Sequence, residues 1–161
     1  MSVTSTGRDY LSMAINIATS NVRNAGGPFG AVVVAASGQV FEGVNRVTAN
    51  NDPTAHAEVV AIRTAAAALG TFDLSGAVLY SSCEPCPMCL ASALWARIDK
   101  VYFAADRHDA ARGGFDDALF YGYFEPDSDR ALMPVHCVQT TDKAHLKPFE
   151  EWDSLETRTD Y

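Results

Sequence analysis

Lysine is scarce in this 161-residue chain: Lys100, Lys143 and Lys147 are the only three, and with nine arginines they stand against twenty aspartates and glutamates. The net charge of −8 and the lack of any Lys/Arg cluster argue against a basic groove for a phosphate backbone, so no nucleic-acid partner is expected. Long apolar runs are also missing. No stretch approaches the ~20 residues that cross a bilayer, and residues 1–14 lack the basic start and apolar block of a secretory signal. The expectation is a soluble cytoplasmic protein with no membrane partner. Internal repeats and low-complexity linkers are absent too, and 48% hydrophobic residues suffice for one domain over 1–161.

Charge and cysteine are unevenly spread. Between Asp106 and Asp129 seven acidic residues meet two basic ones, so a pocket rim built there favours a neutral or cationic ligand. Of four cysteines, Cys83, Cys86 and Cys89 crowd beside Pro85 and Pro87, far from Cys137. Without an export signal, that crowding points to metal binding rather than to a disulfide framework.

Apolar positions Tyr10, Leu11, Ala14, Ile15 and Ala18 recur at helical spacing and predict a helix over Arg8–Val22. A glycine-rich bend, residues 24–30, precedes a buried strand at 31–35. Ser37-Gly38 then turns the chain into a return strand at 39–47 ending near Asn45. Small polar residues 50–54 cap a helix over Ala55–Leu69 that Gly70 ends. A strand at 77–81, a helix at Cys86–Ala96, a strand at 101–105 and a last strand at Val135–Thr140 complete the pattern. Strands alternating with helices imply an α/β fold, a mixed sheet covered by helices on both sides. Met88 and Trp95 are expected in the core or a pocket wall; His108, His136 and His145 have no partner pattern.

His56-Ala57-Glu58, followed thirty residues after the histidine by Pro85-Cys86-Pro87-Met88-Cys89, is the strongest signal. Catalytic zinc takes three protein ligands and keeps a fourth position for water; one imidazole and two thiolates supply three. Cys86 and Cys89 stand one helical turn apart, where unpaired amide donors ease ionisation of the thiols. Glu58 has the reach to touch a metal-bound water without ligating the ion, although residues two apart on a regular helix point in different directions. Cys83 has the same spacing to Cys86 and, as a fourth ligand, would close the site and make it structural. The assignment is one zinc per chain on His56, Cys86 and Cys89, with Cys83 turned into the core from the end of its strand.

These motifs, with 26–31 (GGPFGA), 51–58 (NDPTAHAE), 81–90 (SSCEPCPMCL), Trp95-Ala96-Arg97 and 114–117 (GFDD), resemble the zinc-dependent cytidine and nucleobase deaminase family. Within it the chain looks like the bacterial guanine deaminases. The resemblance implies a three-layer α/β/α fold with a mixed five-stranded sheet, a zinc-bound hydroxide, and Glu58 as proton shuttle for hydrolysis of guanine to xanthine and ammonia.

The same resemblance gives Phe29 a stacking role, Asn45 the purine edge, Ala57 and Glu84 backbone contacts near the metal, and Asp117 an acceptor's and catalytic role toward a ring or exocyclic N–H. Each has a plainer reading: Phe29 as core, Asn45 as an end-of-strand cap, Asp117 as the cap of a helix at 118–124, with neighbouring Asp116 competing for its task. Other substrates of the same chemistry are cytosine, cytidine, guanosine, triazines such as ammeline and, against the charge, adenosine in transfer RNA; a zinc-stabilised binding module without activity is the non-enzyme reading. Phe149, Trp152, Leu155 and Tyr161 among charged residues suit a tail at 148–161 that docks by aromatic anchors. The resemblance implies a homodimer that exchanges these tails, bringing Tyr161 to the partner's substrate.

Overall fold

The computed structural model describes residues 5–161. Two compact units divide the chain, Met1–Phe124 and Glu125–Tyr161. In the first, α1 (Ser5–Asn21) is followed by β1 (Gly30–Val34), β2 (Val40–Val44), a single turn α2 (Val47–Asn50), α3 (Ala57–Leu69), β3 (Val78–Cys83), α4 (Pro87–Trp95), β4 (Lys100–Ala105), α5 (Arg107–Arg112) and α6 (Ala118–Tyr123). The strand order is β2-β1-β3-β4, antiparallel for the first two pairings and parallel between β3 and β4. A parallel neighbour cannot be reached by a tight turn, so α4 supplies the crossover.

Strand alternation sorts the core into two layers. Ala31 and Val33 of β1 and Leu79 of β3 face Ala57, Ala61 and Ala65 of α3, whereas Val32 and Tyr80 face Ala14 of α1. The small α3 side chains let that helix lie directly on the sheet. At Gly43 of β2 a Cβ would sit 2.3 Å from the Ala57 carbonyl oxygen and the Ala61 nitrogen, so only glycine allows the contact that seats the start of α3.

The layered α/β arrangement is the expected one, but the sheet has four strands among the described residues rather than five. Residues 135–140 form no strand: they are exposed throughout, Val138 to 85%, and an alternating sequence with no surface to bury gains nothing from pleating. Trp95 also departs from expectation. Cys89 and Ala93 occupy the inward face of α4, and Trp95, about 200° around the helix from Ala93, is exposed.

The second unit contains a 3-10 turn at Ala144–Leu146 and α7 (Lys147–Ser154), with Pro148 in its first turn. Arg158 donates to the Trp152 and Asp153 carbonyls, and Trp152 meets Tyr161 edge to face at 6.3 Å between centroids. The tail expected from 148 onward lies inside this unit. No helix among the described residues is long and apolar enough to cross a membrane.

Candidate metal centre and active site

Both helices that carry the candidate ligands begin at one of them. His56 precedes α3 in an extended conformation (φ −66°, ψ 154°), and Cys86 does the same for α4 (φ −66°, ψ 169°). The bend at His56 removes the objection to a pair two residues apart: its ring leaves the chain before the helical twist starts, and Glu58 leaves one step into it. The approach is fixed by Asp52, whose carboxylate accepts from the Thr54 amide and hydroxyl, and by Arg46, whose N–H donates to the Ala55 carbonyl at the end of β2. Pro87 follows Cys86 at the first helical position, where its missing N–H costs nothing.

His56 Nδ1 lies 3.6 Å from Cys86 Sγ and 3.5 Å from Cys89 Sγ, and the two sulfurs are 3.6 Å apart. A tetrahedral zinc with bonds of about 2.3 Å to sulfur and about 2.0 Å to nitrogen requires edges of about 3.8 Å between sulfurs and about 3.5 Å from sulfur to nitrogen. The triangle fits that ion as it stands. The acid chemistry agrees: the Cys89 S–H bond and His56 pull Cys86 down to about 4, and the Cys86 sulfur, burial and Glu58 push Cys89 up, so the second thiolate needs a neighbouring cation. Among the described residues these three form the one His/Cys/Asp/Glu group with ligand spacing. Cys83 stands apart. Its thiol, raised to about 11 chiefly by burial, contacts the Asp106 carbonyl at 3.7 Å.

Glu58 is 6% exposed. Its Oε1 accepts from the Ser81 hydroxyl at 2.9 Å, and its Oε2 lies 3.4 Å from Cys89 Sγ. Burial raises its carboxyl above the ordinary range, the direction that suits a group that takes up and returns a proton.

The triangle opens into a cavity of about 700 Å³ whose wall includes Phe29, Asn45, His56, Glu58, Glu84 and Asp117. Phe29 meets Phe115 edge to face at 4.9 Å. Asn45 is buried and accepts from the Val47 N–H, while its carbonyl accepts from Asn21 Nδ2; a Cβ at Gly26 would collide with both asparagines, which explains the glycine bend. Asp116 takes the Ala118 N–H at 3.0 Å and so does the capping, whereas Asp117 makes no side-chain cap bond and its carboxyl is raised, chiefly by burial. Ala57 is wholly buried beside His56. Glu84 donates its N–H to the Ala105 carbonyl. Tyr161 belongs to the second unit, 73% exposed.

Sequence reasoning did not single out Ser81, Asn21, Arg107 or Tyr121. Tyr121 donates to the Pro85 carbonyl at 3.0 Å, and the Arg107 guanidinium lies 3.8 Å from its ring centroid. The only prior signal was a hydroxyl pair, Ser81-Ser82, at the strand end before the cysteine loop.

Residues 4–105 match the model of the cytidine and deoxycytidylate deaminase zinc-binding region. The chain is 44% identical over 153 residues to guanine deaminase of Bacillus subtilis, covering 94% of this chain and 97% of that one. The crystal structure of that protein superposes with a TM-score of 0.87 over 96% of this chain and 98% of its own. A structure of guanine deaminase from Nitrosomonas europaea, 31% identical, gives 0.64 over 72% and 66%. The tRNA-specific adenosine deaminase of Bacillus subtilis is 38% identical over 60% of each chain. With the His56, Cys86 and Cys89 triangle in place, the chain belongs to the zinc-dependent cytidine and deoxycytidylate deaminase family.

Proposed function

We propose that the chain hydrolyses guanine to xanthine and ammonia, with Glu58 as the proton carrier. Similarity to a guanine deaminase over nearly the full length of both chains, joined to a ligand triangle and a buried carboxylate on one cavity, carries this reading. Bound zinc supplies Lewis acidity and lowers the pKa of the attacking water. Glu58 takes a proton from that water as oxygen adds to C2, and passes it to the adjacent ring nitrogen. A second transfer to the exocyclic amine lets ammonia leave, so one water is consumed for each xanthine formed.

The remaining wall residues bind and orient. Phe29 offers a face to the flat base, Asn45 a hydrogen bond to its edge, and Asp117 an acceptor for N–H groups once Asp116 has taken the helix cap. Ala57 and Glu84 present backbone groups beside the metal ligands. Adenosine in transfer RNA fits poorly with a charge of −8. The reading carries with it a cytoplasmic place in purine breakdown and a homodimer with exchanged C-terminal tails.

Ammonia release from guanine, guanosine, cytosine, adenine and ammeline tests it. The expected result is the highest kcat/KM on guanine and a poor one on adenine. Preference for any other member overturns the substrate while leaving the metal chemistry standing.

A further inference from the structure

Ser81 is 1% exposed, in the interior strand β3. Its backbone pairs with Ala31 on one side and Phe103 on the other, so the ladder makes no demand on its side chain. Alternation sends Leu79 and Ser81 to the α3 face of the sheet. Leu79 fills the apolar core there, and two residues further on the same face carries a hydroxyl. A buried hydroxyl is costly unless bonded. Its short bond, 2.9 Å, goes to Glu58 Oε1; the Cys83 N–H is at 3.5 Å.

The two oxygens of Glu58 thereby differ. Oε1 is held from the sheet, and Oε2 lies on the side of the ligand triangle, 3.4 Å from the Cys89 sulfur. Among the described residues no other side-chain donor reaches Oε1 within hydrogen-bond distance. Once both sulfurs ligate a metal, the Cys89 S–H is gone, and Ser81 is the side-chain donor that remains.

We infer that Ser81 is the positioning residue of the proton carrier: its hydroxyl fixes Glu58 Oε1 so that Oε2 is the oxygen presented to the metal-ligand triangle and carries the proton. Glutamate has three rotatable side-chain bonds, and a carboxylate that must meet a reacting water within a few tenths of an ångström needs a second contact to choose among its rotamers. This inference rests on the proposed deaminase chemistry but not on guanine being the preferred base.

Ser81→Ala and Ser81→Thr in the zinc-loaded protein test it, assayed on the best substrate of the panel. Ser81→Ala is expected to keep one zinc per chain and a KM near wild type while kcat falls about tenfold or more, the loss of a hydrogen bond to a charged group. Ser81→Thr, which restores the hydroxyl, recovers most of kcat. In a Glu58→Gln background Ser81→Ala adds little, because it acts through the carboxylate already removed. Crystal structures of the two zinc-loaded proteins supply a readout without turnover: the Glu58 carboxylate leaves its wild-type position in Ser81→Ala. Unchanged kcat, an unmoved carboxylate, or an equal further loss in the Glu58→Gln background each overturns the inference. A wild-type protein that releases no ammonia from any base overturns the proposed function instead, and the carboxylate position then still decides the role of Ser81.

Discussion

Glu84 and Arg107 lock the cysteine loop to the start of α5: Arg107 Nη2 and Nε bond Glu84 Oε1 at 2.5 and 3.1 Å, and the Arg107 backbone N–H bonds Oε2 at 3.0 Å. Glu84 is two residues from Cys86, and the same guanidinium stacks on Tyr121, which holds the Pro85 carbonyl. Arg107→Ala is therefore expected to loosen the loop and weaken zinc binding about tenfold or more, as loss of supporting contacts around a metal site does. Competition with a chromophoric chelator measures it. An affinity equal to wild type would show that the loop holds itself.

The same pair sets a pH dependence. Hydrogen bonding to Arg107 is the largest cause holding the Glu84 carboxyl below its ordinary range. A depressed folded-state pKa contributes stability that is complete above the unfolded value, about 4.3, and disappears as pH falls through the folded one. In zinc-free protein, where proton competition for the thiolates plays no part, urea unfolding should separate wild type from Arg107→Ala at pH 7, and the separation should shrink as the pH falls below the ordinary carboxylate range. A separation independent of pH assigns the difference to the stacked Tyr121 contact.

Cysteine substitutions should divide sharply. Cys89→Ser is expected to lose zinc and activity together, since it removes one corner of the triangle. Cys83→Ser should keep both, because its protonated thiol points at the Asp106 carbonyl. Metal analysis of the two variants decides; zinc lost from Cys83→Ser would place that sulfur in the ligand set.

Glu58→Gln preserves size and the Ser81 contact but cannot take a proton. It should keep fold and zinc while kcat falls by about 10²–10⁴-fold, the usual contribution of a general acid/base. Near-normal turnover at saturating guanine would sink the proton-carrier role.

The helices and strands of the first unit were legible because each buries one face, and burial writes a period of 3.6 or 2 into the sequence. The candidate ligand set was legible from spacing together with position: Cys83 and Cys89 both stand three residues from Cys86, and only the placing of Cys83 at a strand end told them apart. Strand 135–140 was misread because alternation reports a possible face and not the surface that would cover it. How His56 and Glu58 share a site was hidden, because the answer lies in one ψ angle of 154° before the helix. Ser81 and Arg107 were hidden for another reason: each acts on a residue 23 positions away, and nothing local marks such a pairing.

The tail gives the last prediction. Phe149, Trp152, Leu155 and Tyr161 of the second unit expose large apolar surfaces, and β4, at the edge of the sheet, is poorly covered, with Phe103 exposed. The proposed tail exchange would cover these residues on a second copy of the chain, and exchange of an identical element is a low-cost route to a symmetric dimer. A segment that closes the partner's cavity also excludes water from the zinc site and strengthens the electrostatics acting there. Deleting residues 154–161 should thus leave zinc nearly unchanged while lowering guanine turnover. Mixing tail-deleted subunits with Glu58→Gln subunits should restore activity, because the intact tail of the inactive subunit then serves the intact site of the other. Activity that stays at the level of the separate variants, after subunit exchange has been verified by mass spectrometry, would mean that each tail serves its own chain.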